Sequence, residues 1–225
     1  MAQTTSALWK ALIRDRNARR EFKFEINGVT YSDDAEVSYT VSGGLYETFG
    51  FGNAAVASLN LVMEADDIPK GATIKRFVRL VLDDQETEWL PKGVFFTNRR
   101  SEDDGLWTID AFDALRKAAV PFIREGEQEE WPQPATDVVS KIALRMGVSV
   151  DSRTKIDPSV MIDYPDDRTM QTILAHIAAA HFANWTMSDA GELWLVPLLS
   201  APDETSFLID EHGDFITFGG VRIVV

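Results

Sequence analysis

From Phe22 to Ala111 the apolar residues recur mostly at every second position, a period that fits strands and not helices. Phe22, Phe24 and Ile26 alternate up to Asn27-Gly28, and Val29 and Tyr31 resume the alternation beyond it. Asn-Gly between two alternating runs predicts a tight hairpin, because both turn positions need positive φ. Further runs are Val37, Tyr39 and Val41; Ala57, Leu59, Leu61 and Met63; and Ile74, Val78, Leu80 and Leu82. WLPKGVFF holds another strand, and Trp107, Ile109 and Ala111 close the set. Gly43-Gly44, Pro69-Lys70-Gly71, Pro91-Lys92-Gly93 and the acidic SEDDG at 101–105 supply the turns. Short strands at regular spacing, with no long helix between them, predict an antiparallel sandwich or barrel.

The flanks read differently. Leu8, Trp9, Leu12 and Ile13 share one face of a short amphipathic helix, followed by Arg14, Arg16, Arg19 and Arg20. Asp113 to Lys117 reads as a helical turn, and EGEQEEWPQP as an acidic, proline-bearing linker. A helix carrying Val138, Val139, Ile142 and Met146 is expected after it, capped by Thr136 and ended by Gly147. A second helix buries Met170, Ile173, Leu174 and Ile177, with Asp166 or Asp167 as its cap. Asn184–Met187 and Glu192–Val196 read as a hairpin, and the tail FITFGGVRIVV as strand. The expected class is α+β: an antiparallel barrel or sandwich, then a small α/β lobe with two helices and a β-hairpin. The expected units are an amphipathic helix at 1–20, a tube-like β-domain at 21–124, the lobe at 125–200, and strands at 201–225 that return to the barrel or serve an interface.

Charge narrows the partners. Twenty-two basic residues against 36 acidic ones leave a net charge of −14 over 225 residues. Such a surface repels a phosphate backbone or an anionic membrane. The start of the chain has the reverse polarity of a signal peptide, and no apolar run approaches the roughly 20 residues a spanning helix needs. The chain reads as soluble, without membrane insertion. The absence of cysteine excludes disulfides, thiolate metal sites and thiol nucleophiles.

Chemistry-bearing patterns are few. Gly50, Gly52 and Ala55 match the spacing of a dinucleotide fingerprint, but the following ASLNLVM alternates like a strand and no βαβ unit surrounds it. His176 and His181 are five apart, which separates them by roughly 140° on a helix and prevents a shared metal. His181 is expected near the core, His176 in solvent, and His212 is the third histidine. The pairs Asp33-Asp34, Asp66-Asp67, Asp83-Asp84, Asp103-Asp104 and Asp166-Asp167 sit at expected turns or a helix start, where aspartate is locally favoured. No nucleophile elbow, phosphate loop or zinc-binding helix signature is present. No catalytic residue, cofactor site or metal site is therefore expected. The expected contact residues are Leu8, Trp9, Leu12 and Ile13 on the helix, and Val221, Ile223 and Val225 on one face of the last strand. Asp103, Asp104, Glu125, Glu127, Glu129 and Glu130 are expected to form an acidic lumen or rim.

The succession FGNAAVASLNLVM, IPKGATIK, WLPKGVFF, LWTIDAFDALRKA, TMQTILAHIAAAHFANWTM and GELWLVPL, from about Phe22 to Leu199, resembles the hub-type tail proteins of tailed phages and prophages. The resemblance implies a non-catalytic subunit of the tail tip or baseplate hub, made in the host cytoplasm and carried in the virion. It implies a trimeric ring of identical subunits below a distal tail or tail-tube protein. The ring would join that protein to a tip fibre or spike and pass the tape-measure protein and the DNA without specific binding. Alternatives are another tail adaptor or distal tail component, or a carbohydrate-binding or cell-wall-degrading module of the tail tip.

Overall fold

The computed structural model describes residues 5–32, 38–43, 50–124 and 130–198, together with the backbone of 217–218 and 221–222. A six-residue helix α1 (Ala7–Leu12) precedes β1 (Arg19–Ile26), β2 (Val29–Ser32), β3 (Ser38–Ser42), β4 (Asn53–Ala54), β5 (Ser58–Glu64), β6 (Thr73–Leu82) and β7 (Gln85–Glu86). Then come β8 (Leu90–Asp103), β9 (Leu106–Phe112) and a 3-10 turn at Ala114–Ala118. β10 (Gln133–Pro134), α2 (Ala135–Met146), β11 (Met161–Ile162), α3 (Met170–Ala180), β12 (Ala183–Met187) and β13 (Leu193–Pro197) follow. β14 (Thr217–Phe218) and β15 (Val221–Arg222) form a short antiparallel pair.

The long strands hydrogen-bond in the order β2-β1-β6-β8-β9-β5-β3, every pair antiparallel, with β7 added to β6. Alternation sets which face is buried. Leu59, Leu61 and Met63 stand opposite Ala111, Ile109 and Trp107, and all six are buried. Each leucine, isoleucine or methionine among them contributes about 1.5–3 kcal/mol on leaving water, before entropy is subtracted. Tyr39 of β3 packs edge-on against Phe22 and Phe24 of β1, at centroid distances of 5.1 and 5.3 Å. Strands near opposite ends of the pairing order thus meet through their side chains, so the sheet is rolled. Its hydrogen-bonded path stays open between β2 and β3 among the described residues.

Turn chemistry follows the expectation at Asn27-Gly28, where φ is 48° and 90°. At 101–105 the turn is tighter than expected: only Asp104 and Gly105 adopt positive φ, at 52° and 80°, and Ser101–Asp103 belong to β8. Register shifts between Thr97 and Arg99, and between Lys75 and Phe77, mark bulges that bend the long strands.

A second hydrophobic cluster gathers α2, α3, β12, β13 and the 3-10 turn, with Ala54 of β4. Trp185 is fully buried there, and its indole N–H donates to the Leu174 carbonyl at 2.8 Å. Both helices bury the expected faces, but both caps differ from expectation. The Ala135 N–H is bonded to the Val160 carbonyl, so α2 starts directly from β10 and Thr136 lies inside its first turn. Asp166 takes φ of 51° in a preceding turn, and the Thr169 hydroxyl accepts from the Thr172 N–H instead. Gly147 ends α2 in the left-handed conformation, as expected.

Candidate interaction surfaces

The β8–β9 hairpin carries two of the expected acidic residues. Its base is braced: the Arg100 guanidinium lies 5.0 Å from the Trp107 ring centroid and donates to the Ile68 carbonyl. The Trp107 indole N–H donates to the Ala65 carbonyl at 2.9 Å. Glu102 accepts from the Gly105 N–H at 2.7 Å, which ties the turn closed. Asp103 and Asp104 project from the tip into solvent. Glu130 is also exposed, whereas Glu125, Glu127 and Glu129 lie outside the described residues.

The N-terminal helix is fastened to the sheet rather than free. The Ser6 N–H and hydroxyl both donate to the Glu88 carboxylate at 2.7 Å, which holds that carboxyl below its ordinary value. The Ser6 hydroxyl also caps α1 by accepting from the Trp9 N–H at 3.0 Å. Of the expected contact residues, Leu12 is buried within the chain, Leu8 and Trp9 are half-buried, and Ile13 is exposed. A partner could reach the last three. Val221 lies in β15, where only the backbone is described; Ile223 and Val225 fall outside the described residues.

Between the rolled sheet and the helical cluster runs a polar joint that sequence reasoning missed. Asp113 caps the 3-10 turn and is 3% exposed. One of its carboxylate oxygens accepts from the Ala57 N–H at 2.9 Å and the other from the Leu115 N–H at 3.0 Å. Burial pushes its carboxyl up to about 6 from the ordinary 3.8, against the pull of those two N–H donors. The same joint is stitched elsewhere. The Asn184 amide donates to the Gly50 carbonyl and accepts from the Asn53 N–H, and β4 pairs parallel to β12. The Gln171 amide donates to the Ala54 carbonyl at 2.8 Å. On the other side Lys92 pairs with Asp189 at 2.8 Å, and the Gly93 N–H donates to the Asp189 carbonyl.

Gly52, one of the residues at fingerprint spacing, has φ of 82° and presses on α3, where a Cβ would sit 2.9 Å from that of Ala179. His181 is half-buried: its Nδ1 bonds the Ile177 carbonyl, and its Nε2 accepts from the Asp157 N–H. His176 is exposed, and His212 lies outside the described residues. Asp83, Asp104 and Asp166 hold positive φ in turns. No group of three or more potential metal ligands gathers among the described residues. No described helix is long and apolar enough to cross a membrane. The sequence reading also missed a cleft of about 740 Å³ where Arg153 stacks 3.7 Å over Trp194 and Asp151 accepts from the Arg153 Nε at 2.8 Å.

No family model matches the sequence, and no curated protein matches it. Solved structures do. The 43 kDa tail protein of prophage MuSo2 from Shewanella oneidensis superposes on 89% of this chain with a TM-score of 0.54 at 16% identity. The chain spans 60% of that protein's length. A tail protein from Neisseria meningitidis aligns over 88% of the chain and 53% of its own at 14% identity, with a TM-score of 0.49. At 16% identity the likeness to the MuSo2 protein is one of fold. The fold of this chain is the fold of a phage tail protein.

Proposed function

We propose that the chain is a structural, non-catalytic subunit of a phage or prophage tail, placed in the hub at the tip or baseplate and carried in the virion. The observation that carries this reading is the superposition on the MuSo2 tail protein across 89% of the chain. In this reading the rolled sheet at 21–124 is a wall element whose seam between β2 and β3 closes as a barrel. Residues 125–200 form a lobe fixed to it by the Asp113 and Asn184 joint. Residues 1–20 and 201–225 meet neighbours. Copies of the chain form a trimeric ring that joins a distal tail or tail-tube protein to the tip fibre or spike. The tape-measure protein and the DNA pass its acidic wall without sticking, since a chain of net charge −14 repels phosphate.

The test is a particle lacking the chain. Deleting its coding sequence should yield heads with absent or incomplete tails, and supplying the chain in trans should restore infective particles. Particles of normal morphology and titre without it would refute the reading.

A further inference from the structure

On the outer face of β5, β9 and β8 two clefts of about 850 and 410 Å³ share Asn98, Arg99 and Asp110, and so form one groove. The bulge at Asn98 builds it, since the extra residue turns the strand and re-aims its neighbours. Lys70, Arg99 and Arg116 line this groove, and all three are exposed. Arg99 stands directly across from Asp110, yet no ion pair joins them; one oxygen of the Asp110 carboxylate accepts from the Asn60 amide at 2.8 Å. Glu102, the other acid of the groove, is held by the Gly105 N–H. The three cations have no carboxylate partner among the described residues. In a chain of net charge −14 this is a local reversal of sign.

The complementary charge lies on the same hairpin. Asp103 and Asp104 project from its tip with no cation partner among the described residues. Four residue steps of extended strand take Arg99 to Asp103, about 13 Å along the strand axis, and the strand cannot fold back on itself to join them. Arg99 and Asp103 of one molecule are therefore out of each other's reach.

We infer that the acidic tip of one copy docks into the Lys70, Arg99 and Arg116 groove of a second copy. Tip and groove are different patches, so the contact is head-to-tail, and repetition gives a ring when the rotation closes. Charge pairs of this kind set the orientation of partners and the speed of association more than they set affinity. The inference rests on the proposed function only in that the chain meets copies of itself.

Sedimentation velocity of the full chain across a concentration series, at low and high salt, tests it. Association should appear at low salt and weaken as salt screens the pairs. Arg99→Glu and Asp103→Lys should each weaken it at least tenfold, and both are exposed strand positions whose exchange should leave the melting curve in place. The double variant Arg99→Glu/Asp103→Lys restores the pairing with signs exchanged and should regain most of the loss. A wild-type chain that stays monomeric overturns the inference and leaves tail incorporation to be judged by the deletion experiment. Single variants that associate like wild type also overturn it and locate self-contact elsewhere; so does a double variant with no recovery. Salt-sensitive retention of duplex DNA that is lost in Arg99→Glu, without self-association, would overturn it in favour of a phosphate chain in the groove.

Discussion

Leu59, Leu61 and Met63 of β5 meet Ala111, Ile109 and Trp107 of β9 in unbroken register, two strands on neighbouring tracks of one sheet. Trp185, at the centre of the other cluster, belongs with residues drawn from as far apart in the chain as Ala54 and Leu195. The first core is assembled by a period that repeats along the chain. The second needs contacts that no short stretch encodes, and it depends on a joint whose pieces, Ala57, Asp113 and Leu115, come from both sides. The difference teaches that the rolled sheet is specified locally, while the helical cluster is specified by what the sheet offers it.

That contrast can be broken by mutation. Trp185→Ala should be the severest change, costing about 3–5 kcal/mol, because it opens a large cavity and removes the indole bond to the Leu174 carbonyl. Hydrogen exchange should then show lost protection in α3 and β12, while the amides of Leu61 and Ile109 keep theirs. Equal loss in both regions would mean that the two cores unfold as one unit.

Asp113→Ala comes next, at about 2–3 kcal/mol, since it leaves the Ala57 and Leu115 N–H groups without acceptors. Urea unfolding measures it, and a change under about 0.5 kcal/mol would demote the joint to an ordinary surface turn.

Titration of the same residue gives a smaller, signed effect. Its carboxyl is raised in the folded chain, from 3.8 to about 6, so the folded state holds the proton more tightly than the unfolded state does. The stability it contributes is fully present below pH 3.8 and is lost as pH rises through about 6. Against an Asp113→Asn variant, which cannot titrate, the wild type should lose on the order of 2 kcal/mol of relative stability between pH 4 and pH 7. Parallel stability–pH curves for the two proteins would contradict this. The smallest effect is expected from Lys92→Ala. Its partner Asp189 is about half exposed, so thermal unfolding should shift by no more than about 0.5 kcal/mol.

What could be read from the sequence follows the same division. Alternation located the strands of the rolled sheet, and Asn27-Gly28 announced its turn because positive φ at both positions is a strong local demand. The buried faces of α2 and α3 were legible for the same reason, as apolar stripes at helical spacing. β8 was underestimated because TNRRSED carries its polar residues on consecutive positions, and the bulge at Asn98 breaks the period there. The helix caps were misplaced because Thr136, Asp166 and Thr169 are all competent cap residues, and only the tertiary bond from Ala135 to Val160 and the turn at Asp166 decide among them. Asp113 was visible as a helical turn, but its burial follows from Ala57, far away in sequence. Nothing local marks Asn184 as the residue that ties Gly50 and Asn53 to β12. The acidic pairs announced turns correctly at Asp83, Asp104 and Asp166. The cations of the groove emerge only when the sheet brings Lys70, Arg99 and Arg116 together.

A chain that serves as a tail subunit must be a built-in part of the particle. Quantitative mass spectrometry of purified particles encoded beside it tests that most directly. The chain should be present at a small, fixed copy number relative to the other tail proteins, co-purify with isolated tails and be missing from tail-less heads. A chain found only in the soluble lysate, or at a number that varies between particle preparations, would contradict it.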